Sequence, residues 1–352
     1  MKKIIFPLFF LGISLSVCAQ VIEGTIYDAG TKETIPGVAV YFNGTSFITT
    51  SDNEGKFRLV VENKIYTELV FSHISYEILM IQKPFEHREL SFYMQEKVNT
   101  LDEVRVTADR YSRAAKMKVF KEQFLGDSMA GKFCVILNEE DIILNYNHAT
   151  NTLEGYANRP IVVENRYLAY HVTFDLSLFY VHYSEDTLHP DKAVQIAFKG
   201  TSSFIDNNPY NVLYSKRRDG LFFRSSHFFW RSFVHHSLEE NDLRIYNRSR
   251  RIEPSQYFAI SDLPTQKRVQ ILPNTNINLK PGIKVEAPVY GVIRVIYSNT
   301  IRSEIVFLTH SFSVDMYGNP DPIDGLIYSG AMGEQRIGDM LPQDYKQGLF
   351  NK

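Results

Sequence analysis

The stretch Ile35-Pro36-Gly37-Val38-Ala39-Val40-Tyr41-Phe42-Asn43-Gly44, continued by Asp52-Asn53-Glu54-Gly55-Lys56-Phe57, reads as strand, hairpin, strand, turn, strand. Val38, Val40 and Phe42 carry the first strand. Asn43-Gly44 is a hairpin signal, because both residues tolerate the positive φ of a primed turn. Phe47 to Ser51 follows, Asp52 to Gly55 turns the chain, and Phe57 to Val61 returns. Working outward, Val21 to Tyr27 comes earlier, with its turn at Asp28-Ala29-Gly30. Leu69 to Ile74, Ile78 to Gln82 and Glu89 to Met94 come later. Seven short strands at this density are expected to form a two-sheet sandwich.

The runs Glu23-Gly24-Thr25-Ile26-Tyr27-Asp28, Ile35 to Val40 and Thr49 to Phe57 resemble the carboxypeptidase-regulatory-like domain. The resemblance implies a transthyretin-like or Ig-like β-sandwich. Phe71-Ser72-His73-Ile74-Ser75-Tyr76 is similar to a later motif of that family, with Ser75 where glycine is usual. These are turn and core positions, so the resemblance speaks to architecture and not to activity.

Upstream, Lys2 and Lys3 precede an apolar run from Ile4 to Val17, and Val17-Cys18-Ala19 offers a small-residue cleavage site. The run is short for a membrane span. Residues 1–19 are expected to be a signal peptide, so that the mature chain starts at Gln20. Export places it in the periplasm or outer membrane of a Gram-negative bacterium. The alternatives are an uncleaved anchor, or lipidation at Cys18, for which Val17 fits poorly. Signal removal leaves Cys134 as the one cysteine; no intrachain disulfide is then available, and a buried inert thiol is its expected role. Without Lys2 and Lys3 the formal charge moves from −2 to −4, which argues against nucleic acid as a partner.

Residues 96–112 read as a connector containing Leu101-Asp102-Glu103-Val104-Arg105-Val106-Thr107-Ala108. This is similar to the segment joining such a sandwich to the plug of TonB-dependent outer-membrane transporters. The resemblance implies docking of an outer-membrane or TonB-system protein by strand addition at Asp102, Glu103, Val104 and Val106. The plain alternative is a last strand or a linker. A whole transporter is excluded, because ~22 strands of ~9–11 residues do not fit into the chain beyond the connector.

Residues 113–352 are expected to form a β-rich α+β domain. Arg113 to Ala130 has Met117, Phe120 and Phe124 at helical spacing. A second helix is expected from Asp219-Gly220 to about Glu240. Phe222, Phe229, Trp230, Phe233 and Val234 form its apolar stripe, and Arg224, Arg231, Glu239 and Glu240 its polar positions. Lys132 to Asn138, Val194 to Lys199, Val269 to Leu272, Val285 to Tyr297 and Glu304 to Val314 read as strands. His171 to Ser177 alternates cleanly, with Val172, Phe174 and Leu176 on one face. Phe124-Leu125-Gly126, Cys134 to Asn138, Arg159 to Asn165 and Asp339 to Pro342 are similar to uncharacterised exported proteins carrying the same sandwich, a resemblance that implies no activity.

Chemical signatures are sparse. A Gly-x-Ser-x-Gly elbow, a Walker loop and a dinucleotide fingerprint are absent, and no cofactor is expected. His236-Ser237-Leu238-Glu239 has His-x-x-Glu spacing, with His310 as a distant third ligand, but catalytic zinc needs three converging ligands and a positioned base. Asp315, Asn319, Asp321 and Asp324 offer oxygens to calcium, although turn chemistry explains them equally. Arg244, Arg248, Arg250 and Arg251 concentrate guanidinium groups that suit the phosphate or carboxylate of an envelope glycan or lipid, or else form a solvated edge.

The fold class expected is mainly β, with the seven-stranded Ig-like or transthyretin-like sandwich (20–95) ahead of the α+β domain. The function expected is a non-catalytic cell-envelope binding or docking module, partnered by an envelope glycan, an outer-membrane protein or the membrane itself. A small outer-membrane β-barrel or transporter-associated protein is the second reading. A metal-dependent peptide or glycan hydrolase is the third.

Overall fold

The alternation of apolar and turn residues before Met94 folds into two facing sheets in the computed structural model. It describes residues 20–61, 67–86, 90–97, 110–264, 266–272, 288–322 and 325–346. The strands are β1 (Gln20–Asp28), β2 (Ala39–Phe42), β3 (Ile48–Thr50), β4 (Lys56–Val61), β5 (Leu69–His73), β6 (Tyr76–Ile81) and β7 (Ser91–Met94). One sheet has the order β4-β1-β7, with β7 parallel to β1; the other runs β3-β2-β5-β6 and is antiparallel. Period-two burial along β4 sends Phe57, Leu59 and Val61 inward. They meet Val40, Phe42, Phe71, Phe92 and Met94 in one core. Phe57, Phe71 and Phe92 form its aromatic centre, with centroids 4.7–5.5 Å apart. The seven expected strands are all present. The backbone after β7 continues beside β6, where Lys97 N–H reaches the Ser75 carbonyl at 2.8 Å, so the sandwich runs past residue 95.

The second part begins with α1 (Arg113–Leu125), opened by the Ser112 hydroxyl, which accepts the Ala115 N–H. The expected single helix to Ala130 is interrupted: Gly126 takes φ +89°, Ser128 caps anew, and α2 (Met129–Lys132) is a separate turn. A six-stranded antiparallel sheet comes next, built from β8 (Cys134–Ile136), β9 (Ile142–Asn147), β10 (Thr152–Ala157), β11 (Ile161–Asn165), β12 (Tyr170–Tyr183) and β13 (Ala193–Asp206). β12 pairs with β13 along its length, and with β11 and then β10 on its other side. Its register slips between Leu176 and Leu178. That bulge moves the buried set from Tyr170, Val172 and Phe174 to Phe179, Val181 and Tyr183, one residue out of phase. It is the reason the clean alternation stops at Ser177. Phe120 and Phe124 of α1 lie on this sheet against Phe179 (4.6 Å), Phe174 (5.2 Å) and Phe198 (5.5 Å).

The helix expected after Asp219-Gly220 is two helices, α3 (Val212–Phe222) and α4 (Ser226–Val234). Asp219 and Gly220 lie inside α3, whose start is capped by Asn211, and Ser225 caps α4. Two further sheets come from β14 (Leu243–Asn247), β15 (Arg250–Arg251), β16 (Phe258–Asp262), β17 (Gln266–Ile271), β18 (Gly291–Tyr297), β19 (Ile301–Phe307), β20 (Ser311–Asp315), β21 (Pro320–Asp321) and β22 (Leu326–Gly330). A four-residue helix, α5 (Pro254–Tyr257), precedes β16. The sheet orders are β15-β14-β18-β19-β22 and β16-β17-β20-β21. The run from Glu304 to Val314 is thus two strands in different sheets, and Val285 to residue 287 lies outside the described residues. Trp230 of α4 rests on both sheets, against Phe307 and Phe312, and donates its indole N–H to the Tyr328 hydroxyl at 2.8 Å. Among the described residues four of the sheets are open paths, and the six-stranded sheet branches at β12, with β8, β9 and β13 at its edges. Among the described residues no helix is long and apolar enough to cross a membrane.

The two parts are joined through the loop after β2. The expected tight Asn43-Gly44 turn is wider, because Phe42 pairs with Phe47 and residues 43–46 loop outward. The loop lies along β13: Gly44 N–H donates to the Ser202 carbonyl (2.6 Å), Ser202 N–H to Asn43 Oδ1 (3.0 Å) and Phe204 N–H to the Thr45 carbonyl (3.0 Å). On its other side Gln343 N–H donates to the Gly44 carbonyl (2.8 Å), and Asp344 accepts from the backbone and hydroxyl of Ser46. Arg231 holds that outer segment in place. Its partly buried guanidinium donates to the carbonyls of Tyr317 (2.6 Å), Tyr345 (2.9 Å) and Gln343 (3.2 Å). It was expected on a polar helix face and is instead an internal tie. Tyr317 completes the sandwich core.

Two outcomes are expected of this junction. Gly44 has φ +75° and a Cβ there would come within 2.6 Å of the Gln343 side chain, so Gly44→Val is expected to cost about 1–3 kcal/mol. Thermal unfolding checks the loss, and faster limited proteolysis of the native chain reports a loosened junction. Asp175 accepts the Ser72 hydroxyl at 2.6 Å across the junction, and its burial raises its pKa. The folded state therefore holds the Asp175 proton more tightly than the unfolded one. Stability falls as pH rises from the ordinary value near 3.8 through the raised folded value. Asp175→Asn is expected to remove that part of the pH dependence and to unfold at a higher temperature than the parent at neutral pH.

Candidate functional site: a cleft at the end of the fourth helix

α4 is stopped by its own C-terminal geometry. His236 takes φ +57° and its N–H returns to the Phe233 carbonyl at 3.2 Å, while Ser237 N–H returns to Ser232 at 2.8 Å. The chain then reverses through Leu238 and Glu239, and Leu243 N–H donates to the Leu238 carbonyl at 2.7 Å as β14 begins. β14 turns at Arg248, which has φ +54°, into β15 and then α5. His236-x-x-Glu239 therefore lies on a turn and not on a helix face, contrary to its expected place in a long helix.

Between α4, β14, β15 and α5 is a cleft of about 290 Å³. Phe233, Leu238, Leu243, Ile245 and Ile252 are its buried apolar lining. His236, Glu239, Arg244, Arg251, Glu253 and Ser255 are its polar lining. Arg251 pairs with Glu239, and both remain largely exposed. Arg244 pairs with Asp242 at 2.8 Å and also donates to Asn299 Oδ1. Exposed pairs of this kind contribute only ~0–1 kcal/mol, so a competing anion displaces them at little cost. His236 also faces the end of β16. Lys267 holds Asp262 below the usual carboxylate range, with a smaller contribution from His236.

The fold brings some candidates together and separates others. Arg244 and Arg251 line the cleft with His236 and Glu239. Arg248 and Arg250 are exposed at the tip of the β14–β15 hairpin and are not part of the lining. His310 is on the turn between β19 and β20, its ring 5.6 Å from that of Tyr290, and it does not line the cleft. Among the described residues no three His, Cys, Asp or Glu side chains gather where one metal ion would be held. Asp315 closes a turn, accepting from the Tyr317 N–H (2.8 Å), the Asn319 N–H (2.9 Å) and the Asn319 amide (2.9 Å). Those bonds account for the Asp-Asn-Gly composition there. Asp324 lies outside the described residues, as do Asp102, Glu103, Val104 and Val106 and the whole of residues 1–19.

The geometry thus defines a β-sandwich seated on a larger α+β body that carries a mixed apolar and charged cleft. Residues 22–106, which hold the sandwich, match the family model of the CarboxypepD_reg-like domain, a non-catalytic Ig-like fold. The match extends through Val106 and so includes the four docking candidates. No curated protein matches the chain.

Cys134 is half-buried beside Ala130, whose carbonyl accepts from its thiol at 3.3 Å, and burial pushes that thiol up to about 12. A chain beginning at Gln20 is expected to resist alkylation by iodoacetamide at neutral pH while folded, and to react stoichiometrically once unfolded. Intact mass before and after denaturant checks this.

Proposed function

We propose that the chain is an exported, non-catalytic binding module of the cell envelope, and that its ligand seats in the cleft after α4. The observation that carries the reading is the pairing of a buried apolar floor with two guanidinium groups at the rim. Arg244 and Arg251 present forks that match carboxylate or phosphate oxygens, while Phe233, Leu238 and Ile252 offer an apolar surface to the body of the same molecule. The ligand class is an envelope component with an anionic group beside an apolar or sugar-ring face. The export pattern at residues 1–19 and the non-catalytic fold of the first domain support this reading.

The test is calorimetric titration of the chain with anionic glycan fragments bearing a carboxylate or a phosphate. The parent is expected to bind one of these classes. Arg251→Glu is expected to weaken that binding at least about tenfold, the scale of one charge-assisted hydrogen bond. Arg250→Glu on the hairpin tip is expected to leave it unchanged. Equal losses in both variants would reduce the effect to general charge, and turnover of any fragment would replace the binding reading with an enzymatic one.

A further inference from the structure

α3 buries Arg218, Asp219 and Phe222 and turns another face outward. Arg218 anchors the helix, donating twice to Asp206 at 2.6 and 2.8 Å and lying 4.0 Å from the Tyr170 ring. The outward face carries Val212, Lys216 and Gly220 at four-residue spacing, with Leu213 beside them. A Cβ added at Gly220 would meet nothing within 4 Å. Leu213 is 55% exposed although it sits on a regular, well-capped helix. Met129 of α2, 59% exposed, lines the same groove, of about 380 Å³. Phe133, 51% exposed, extends this surface, its ring 6.2 Å from that of Tyr167 in the groove.

Lys216, Arg217 and Arg224 line the groove with Asp339. An adjoining hollow shares Arg224 and Asp339 and adds Asp127 and Glu334, so the cationic end of the groove is the one at Lys216 and Arg217. Asp339 is engaged by the Ser128 hydroxyl at 2.7 Å, and its pKa is raised by burial. Arg217 is held over the Tyr167 ring at 4.3 Å, its guanidinium fixed by the Tyr167 carbonyl at 3.0 Å. Among the described residues Lys216 and the neighbouring Lys132 form no ion pair.

Protein interfaces deplete charge at their apolar centres. Here cations stand among the apolar tips, which is the composition of a surface that dips side chains into a lipid boundary while its cations take headgroup phosphates. We propose that this face seats the protein on a bilayer surface bearing anionic phospholipid. Met129, Phe133 and Leu213 enter the acyl boundary, and Lys132, Lys216 and Arg217 contact the phosphates. The observations are independent of the cleft after α4.

The experiment is co-sedimentation of the chain from Gln20 onward, so that the apolar run at 4–17 contributes nothing. The probes are vesicles of phosphatidylcholine alone and of phosphatidylcholine mixed with phosphatidylglycerol. Binding to the mixed vesicles is expected, at least about tenfold weaker to phosphatidylcholine alone and weakening as salt is raised. Leu213→Glu and Lys216→Glu are each expected to lower partitioning at least about tenfold, with unfolding temperatures unchanged because both side chains are exposed. Absence of vesicle binding, or binding untouched by both substitutions, overturns the proposal. So does a groove that binds inorganic phosphate but no vesicle, or a concentration-dependent dimer that Leu213→Glu abolishes.

Discussion

The partly buried guanidinium of Arg231 holds the segment against which the sandwich is seated. It satisfies three backbone carbonyls, two of them in the segment that the sandwich loop leans on. A guanidinium has five donors in a rigid fork, so one side chain sets the positions of Tyr317, Gln343 and Tyr345 together. Burial lowers its pKa to about 10, and it stays charged at neutral pH. The loop at residues 43–46 then has β13 on one side and Gln343-Asp344 on the other. Three of its six hydrogen bonds to these neighbours are main-chain to main-chain, so the sandwich is held in register with β13.

The first domain gives its loop after β2 to this contact with the second part. Both proposed recognition faces lie on the second part. Two unlike faces are available there: a cleft with an apolar floor and guanidinium rim, and a shallow groove where lysines stand among exposed apolar tips.

Much of the sandwich was legible in the sequence because its strands alternate with period two and its turns use Gly, Asn and Asp. The second part was read less well, for identifiable reasons. The bulge near Ser177 reverses which residues of β12 face inward, so one long strand looked like a short one. Gly126 ends the first helix, and Ser225 opens a new helix at a break that the spacing of Phe222 and Phe229 does not reveal. Arg231 looked like a solvent-facing charge because its partners are carbonyls from distant segments, which leave no trace in side-chain spacing. The arginine run at 244–251 was visible as composition. Its division into two cleft residues and two tip residues depends on a hairpin turn at Arg248. The surface proposed to face lipid left no local signal, since Met129, Phe133 and Leu213 are brought together only by the fold.

The Ser46–Asp344 contact joins residues 298 positions apart. The sandwich can assemble its core from neighbours within its own stretch of chain, whereas its seat requires β13, α4 and the segment at 343–345 to be in place. The entropic cost of closing so large a loop grows only logarithmically with its length, but the time needed to find the contact does not shrink in the same way. Seating of the sandwich is therefore expected late in assembly, and a molecule halted before that step would display the bare edge of β13 beside a first domain with its own core already closed.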